Sequence, residues 1–437
     1  MSAHKQCDGM TRRDLIKVGM LGSAGLTMSG LDRLASADNT NVSPSAAAKS
    51  AIFIELPGGP SHIDTFDLKP DAAVEFRGAF NPIRTNVSGI EICEHLPKLA
   101  KQADKFAIIR GVSHTLGAHP LGQEFIFTGN RPNPSVKYPG FGSVAAKELP
   151  AEVDLPTYVA VPRTQSGAGH LGVNYAPLIT NDVPRKGKPF NVRGITLAGG
   201  VQLDQFRSRQ KLLNDLDDRF ASIQENSDLL SGLDQFSQKA FDIITSKRAR
   251  EAFDVNRESK AFQNLFGDDK FSQSCLLATR LVDSGVKFVT LTFGGWDTHK
   301  ENFTKLKDNL LPQLDAGLAG LFAGLAQKGL LESTAVYVTG EFGRTPKIND
   351  KSDPGGRDHY PRCMFMLMAG GGIKGGQVIG ESDDKAGGPR HEGFKPEDVA
   401  ATFYHTLGID HRKEYDTSIG RPISIVRDGN IIRDLLA

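Results

Sequence analysis

Thiols are scarce in this chain, which has four cysteines in 437 residues. Cys7 sits near the N-terminus, and Cys93, Cys275 and Cys363 are far apart, so neither a disulfide framework nor a Cys-x-x-Cys metal knuckle is available. Net charge is equally slight: 52 Lys and Arg against 51 Asp and Glu leave +1. With no basic stripe interleaved with aromatics, nucleic-acid binding is not expected. No apolar run approaches the length of a secure membrane span. No Gly-x-Gly-x-x-Gly follows a strand, and Gly370-Gly371-Gly372 lacks the Lys-Ser/Thr of a P-loop. What remains is an ordinary globular composition, 39% hydrophobic and 24% charged, in a chain long enough to bury a large core.

The first 37 residues read as an address label. The twin-arginine run Thr11-Arg12-Arg13-Asp14-Leu15-Ile16-Lys17 precedes a modest apolar stretch, Val18 to Leu31, and then the small residues Ala35-Ser36-Ala37. That order predicts export by the twin-arginine route, a periplasmic or exported destination, and no stable membrane insertion once the signal is cleaved. Cleavage would remove five basic and three acidic residues, leaving a mature chain near −1. Residues 38–50 are small and polar and are expected to form a disordered spacer. A folded domain over 51–437 should follow, with a helical insert at about 203–266, where charge rises and Leu212-Leu213, Leu216 and Phe220 recur at helical spacing.

The domain itself reads as α/β. Ala51 to Leu56, Phe106 to Arg110, Thr157 to Val161, Phe288 to Phe293, Ala335 to Thr339 and Phe365 to Met368 are strand-like runs. Helices are expected at Leu96 to Ala103, Ser272 to Asp283, Glu301 to Lys328 and Pro396 to Leu407. Strand–helix–strand spacing between 288 and 339 implies a parallel pair with a right-handed crossover.

Chemistry-bearing residues cluster just past these strands, where open α/β sheets place their sites. Pro57-Gly58-Gly59-Pro60 is followed at once by Ser61, His62, Asp64 and Asp67. His114 and His119 lie after the second strand, within reach of an anion or a metal. Asp297 and His299 follow Gly294-Gly295-Trp296, Glu341 and Arg344 follow Gly340, and Asp358-His359 lie in a glycine-rich loop. Carboxylate and imidazole without thiolate suit Zn, Mn, Ca or Mg. One or two such divalent metal ions could clamp a phosphoryl or sulfuryl group, with Arg344 pairing with the anion.

The order of these motifs over roughly residues 50 to 412 resembles the alkaline phosphatase and sulfatase superfamily. Asp297 and His299 look like its post-strand metal pair, Val336 to Gly343 like its strand ending in Asp-His-Gly, and Asp358-His359 like its late metal histidine. Residues 394–409 are similar to its closing helix. Gly58 to Asp67, Gly295-Trp296-Asp297-Thr298-His299 and Gly340 to Pro346 further resemble a twin-arginine-exported family of unknown function commonly labelled sulfatase-like.

The resemblance implies a three-layer α/β/α fold with a mostly parallel sheet. It also implies metal-dependent hydrolysis of an anionic ester or of a sulfated or phosphorylated glycan. Metal would be held by His62, Asp64, Asp297, His299, Glu341, Asp358 and His359, with Arg344 and His114 on the substrate. The sequence departs from the pattern at Glu341-Phe342-Gly343, where an aromatic replaces a histidine ligand. There is no Cys-x-Pro-Ser-Arg, and the place of the nucleophile falls near His119. His119 as ligand, base or nucleophile, and Ser61 or Thr65 from the first loop, stay open as the catalytic groups. The competing expectation is a non-catalytic exported protein that binds a glycan or a protein partner on the same scaffold.

Overall fold

A computed structural model describes residues 46–192, 195, 241–417 and 420–437. The export signal, the spacer up to residue 45 and the insert up to residue 240 lie outside the described residues. The structured chain begins earlier than expected. Ala48 is buried, its N–H donates to the Thr406 carbonyl, and Ser50 already opens the first strand. The described end of the insert also enters the core, through Ala249, Ala252, Phe253, Phe262 and Phe266.

Among the described residues, eight strands form the central sheet: β1 (Ser50–Glu55), β2 (Phe106–Val112), β3 (Tyr158–Val161), β4 (Leu178–Ile179), β5 (Phe288–Thr292), β6 (Thr334–Thr339), β7 (Met364–Ala369) and β8 (Gln377–Ile379). Their spatial order is β8-β2-β7-β6-β1-β5-β3-β4. All neighbours pair in parallel except β7, which runs antiparallel between β2 and β6. The sheet is therefore mixed, with one reversed strand in its interior. Both faces of its central strands are buried, which is why these strands read as continuous apolar runs.

The period-two geometry of a strand divides those runs between two cores. Ile52, Ile54, Val289, Leu291, Val336 and Val338 face one layer, containing α3 (Lys270–Ser284) and α4 (Leu311–Gln327). Phe53, Phe288, Tyr337, Met366 and Met368 face the other, containing α1 (His119–Thr128), α2 (Phe141–Glu148) and α5 (Pro396–Thr406). This is the expected three-layer α/β/α architecture.

Two helices differ from the sequence reading. The run expected from Glu301 to Lys328 is divided by a π-helical turn at Leu306–Leu310, just before Pro312, whose missing N–H cannot continue a regular ladder. The expected helix at Leu96 to Ala103 shrinks to Pro97–Ala100. Among the described residues, no helix is long and apolar enough to cross a membrane.

Candidate metal centre

The C-terminal ends of β1, β5 and β6 meet at one rim of the sheet. After β5 the chain alternates in and out: Trp296 and Thr298 are buried, while Asp297 and His299 face the rim. Trp296 fixes this phase. Its Nε1–H donates to the Phe293 carbonyl at 2.9 Å. The β1 turn packs against the same segment. Gly58 has φ +115°, and a Cβ there would collide with the Asp297 amide and Trp296, so only glycine permits the approach. The Gly58 N–H then donates to the buried Glu341 carboxylate at 2.9 Å. His359 is placed by a short antiparallel pair, His359–Tyr360 against Gly343–Arg344, which ties the late loop to the end of β6.

These elements bring His119, Asp297 and His359 together, with ligand-type atoms all within 4.8 Å of one another. His299 adjoins them: its Nε2 lies 2.9 Å from His359 Nε2 and 3.1 Å from Asp297 Oδ1. His359 Nε2 is also 3.1 Å from Asp297 Oδ1, and His119 Nε2 is 3.4 Å from Asp297 Oδ2.

Each ring is anchored through its other nitrogen. His119 Nδ1 meets Glu341 Oε1 at 2.5 Å, His299 Nδ1 meets Asp358 Oδ1 at 2.5 Å, and His359 Nδ1 meets the Gly117 carbonyl at 2.8 Å. A carboxylate or a carbonyl can only accept, so each Nδ1 carries a hydrogen, and each Nε2 is the ring nitrogen that faces Asp297. The His299 and His359 Nε2 atoms face Asp297 Oδ1 and the His119 Nε2 faces Oδ2, a grouping of ligand-type atoms that a cation would satisfy. Imidazoles oriented from behind by carboxylate and carbonyl are the arrangement that metal ligands use. The donor set fits a divalent ion of the zinc or manganese type.

The electrostatics agree. Burial opposes ionisation of Asp297, but the Arg344 guanidinium at 2.5 Å holds its carboxyl far below the usual range, helped by His359 and His299. Burial likewise opposes ionisation of Asp358, yet Lys351 at 2.6 Å and His299 bring it down to about 2. The hydrogen bond that His119 donates to Glu341 raises its pKa against the cost of its burial. Desolvation lowers that of His359. Two formally negative groups thus stay ionised at a rim where Asp297 is 46% exposed.

The remaining expected residues lie elsewhere. Ser61 and Asp64 are fully buried: the Ser61 hydroxyl donates to Asp64 at 2.6 Å, and Asp64 takes a two-pronged ion pair from Arg357 at 2.7 and 2.9 Å plus Asn302 at 2.9 Å. Neither reaches the rim, so Ser61 does not serve as a nucleophile there nor Asp64 as a ligand. His62 is buried as well, with Nε2 on the Ala386 carbonyl at 2.9 Å, and desolvation lowers its pKa. His114 donates from Nε2 to the Glu341 carbonyl at 2.8 Å and accepts the Leu116 N–H on Nδ1. Burial depresses its pKa to about 4, leaving it neutral and structural rather than substrate-binding.

Arg344 is buried and turned inward. It donates to the carbonyls of Gly58, Gly59 and Arg357 and to Asp297, so it organises the rim instead of presenting a fork to an anion. Glu341 and Asp358 stand behind the histidines and are not in front with Asp297. Among the described residues one such group forms, not two.

Sequence reasoning passed over three residues. Arg357 neighbours Asp358 but points into the core. Gln123 donates from Nε2 to Glu341 Oε1 at 3.2 Å. Glu55 hides in an apolar strand run, fully buried, accepting from Thr164, Gln165 and Thr292 at 2.7–2.9 Å, and burial pushes its pKa up to about 7. A lone carboxylate in an otherwise apolar run was the available signal for it.

A polar, ion-ready rim on an α/β/α sheet defines the class of the domain. The chain belongs to the family described as "Protein of unknown function (DUF1501)", whose profile matches residues 48–436. Among solved structures it is similar to a sulfatase from Pseudoalteromonas sp. (PsFucS1), at 13% identity over 92% of this chain and 75% of that one, TM-score 0.37. It is similar too to the alkaline phosphatase of the Antarctic bacterium TAB5, at 13% identity over 82% of this chain and 98% of that one, TM-score 0.36. A phosphonate monoester hydrolase from Silicibacter pomeroyi aligns at 12% identity over 89% and 76%, TM-score 0.36. No curated protein matches the chain.

Proposed function

We propose that this protein is a metal-dependent hydrolase of anionic esters, phosphate or sulfate, acting in the periplasm after twin-arginine export. The supporting observation is the convergence of the His119, His299 and His359 Nε2 atoms on Asp297, each ring fixed through Nδ1. A divalent ion bound there would polarise an ester oxygen and acidify a water. The protein's part is preorganisation. Glu341 and Asp358 orient the rings, Arg344 holds the Asp297 carboxylate in place, and the half-exposed rim admits the ester while the β-sheet beneath stays dry.

A second reading, a metal-loaded binding protein without turnover, is favoured by the state of the first loop. The Ser61 and Thr65 hydroxyls are buried and bonded, Thr65 to the Ser61 carbonyl at 2.7 Å, so neither is free to attack. The deciding experiment is elemental analysis after reconstitution with Zn, Mn, Ca or Mg, alongside a panel of phosphate and sulfate esters. Stoichiometric metal with turnover, both abolished in Asp297→Ala, supports hydrolysis. Metal without turnover supports the binding reading, and failure to retain any metal overturns both.

A further inference from the structure

The three histidines of the rim are anchored unequally. His119 leans on Glu341, a fully buried carboxylate whose other donors are neutral: the Gly58 N–H at 2.9 and 3.1 Å and the Gln123 amide at 3.2 Å. His359 leans on the Gly117 carbonyl, which is uncharged. His299 alone of the three shares its acceptor with a cation. Asp358 Oδ1 receives the His299 Nδ1–H at 2.5 Å and the Lys351 ammonium at 2.6 Å.

Sharing that oxygen has a chemical consequence. A carboxylate that accepts from Nδ1–H pushes electron density through the imidazole and makes Nε2 the stronger donor. An ammonium bonded to the same oxygen draws that density back and competes for the same lone pairs.

Lys351 is not needed as a tether. Asp358 is clamped through its backbone: its N–H donates to Thr345 Oγ1 at 3.0 Å, and its carbonyl accepts the Thr345 N–H at 2.9 Å. The loop that carries Lys351 also closes without the lysine side chain. Asn349 and Gly356 exchange bonds at 2.9 and 3.1 Å, the Asn349 amide donates to the His299 carbonyl at 3.1 Å, and Ser352 Oγ takes the Glu301 N–H at 2.8 Å. The Lys351 side chain is 46% exposed, and among the described residues its ammonium makes no other hydrogen bond or ion pair. What it adds is a positive charge on Asp358.

We propose that Lys351 is a positioning residue that restrains His299 as a metal donor, holding part of the Asp358 charge away from the imidazole and so loosening an ion at the rim. A restrained donor leaves more of the ion's charge for an ester oxygen, which favours polarisation over retention. The proposal rests on the metal centre of the hydrolase reading, and not on turnover.

The test is isothermal titration of Zn and, separately, Mn into the metal-free full chain. Wild type is compared with Lys351→Met, Lys351→Gln, Lys351→Arg, Asp358→Asn and the double variant Asp358→Asn with Lys351→Met. Expected is binding about three- to tenfold tighter in the Met and Gln variants, a part of the roughly 10–100-fold that an orienting carboxylate is worth. The Arg variant, which keeps the charge, should stay within about twofold of wild type, and the Met change should have no effect once Asp358 is Asn. Urea midpoints of metal-free wild type and the Lys351 variants should coincide, because an exposed ion pair contributes little to folding.

Tighter binding confined to chains that keep Asp358 supports the proposal, whether or not any ester turns over. With that pattern and no turnover, the hydrolase reading falls and the role of Lys351 stands. Binding that is unchanged or weaker in both the Met and Gln variants overturns it, as does a urea midpoint that drops with them, since either marks a spectator or a structural tie. Tightening of equal size in the Asp358→Asn background also overturns it, because the charge would then act through space and not through the carboxylate. A wild-type chain that takes up neither ion overturns the metal centre itself, and this proposal with it.

Discussion

Glu55 offers the sharpest test of the physical picture, because replacing it with glutamine changes one charge and almost no volume. The wild-type carboxyl is fully buried, and its pKa rises from the ordinary 4.5 to about 7, chiefly through desolvation, with the three hydrogen bonds from Thr164, Gln165 and Thr292 opposing the rise. A folded pKa above the unfolded one means that the native state binds the proton more tightly. The stabilising contribution is therefore fully present below about pH 4.5 and is lost as pH climbs through about 7. At about 1.4 kcal/mol per tenfold, the rise corresponds to roughly 3 kcal/mol.

In Glu55→Gln that loss disappears. The Gln carbonyl can accept from Gln165 N–H and the Thr292 hydroxyl. Its NH₂ would face Thr164, whose hydroxyl can turn to Ser166 at 3.4 Å. Rearranging that one bond costs about 1 kcal/mol. The variant should thus be more stable than wild type by about 2 kcal/mol near pH 8, and equal or slightly less stable near pH 5. Urea unfolding of both proteins across this window, with m held constant, reads the difference directly, since every other titrating group cancels. A Gln variant less stable by the same amount at both pH values would refute the argument, because it would show that the hydrogen bonds outweigh burial and that the carboxylate is ionised throughout.

Other outcomes follow from the same geometry. Asp358→Asn removes the carboxylate behind His299 Nδ1, and isothermal titration should find metal affinity weakened roughly 10–100-fold with the fold intact. Arg357→Met leaves Asp64 without its partner in a dry interior and should cost about 3–5 kcal/mol in denaturant unfolding, whereas the double change Asp64→Leu with Arg357→Met should recover much of it. Gly58→Ala forces a side chain into the Asp297 amide at a φ only glycine tolerates. A loss of roughly 1–3 kcal/mol is expected, together with weaker metal retention by elemental analysis.

How much of this was legible beforehand depends on which physical level set each feature. The strands announced themselves, because both faces of a central strand are buried and apolar residues must fill both. The reversed β7 did not, since direction is decided by connections and packing rather than by composition. The same holds at the rim. Asp297 and His299 could be read as site residues from their place past a strand and a glycine turn, and Trp296 and Thr298 between them even carry the in-and-out alternation. Arg344 misled for a reason of the same kind: a guanidinium beside a site resembles an anion clamp. Its direction, however, is dictated by the carbonyls of Gly58 and Gly59, which appear only once the β1 turn is folded over it.

The two arginine–carboxylate pairs sharpen the distinction. Asp64 and Asp297 each follow a glycine turn, and each bonds an arginine that only tertiary structure brings to it, Arg357 and Arg344 respectively. Asp64 has both oxygens occupied by Arg357, Ser61 and Asn302, with nothing left to offer. Asp297 gives one oxygen to Arg344 and turns the other toward His119 and solvent. A carboxylate can serve a ligand only with the bonding capacity that the fold leaves over. That remainder is a property of the packed neighbours, which is why chemically equal residues in one chain divide into scaffold and site.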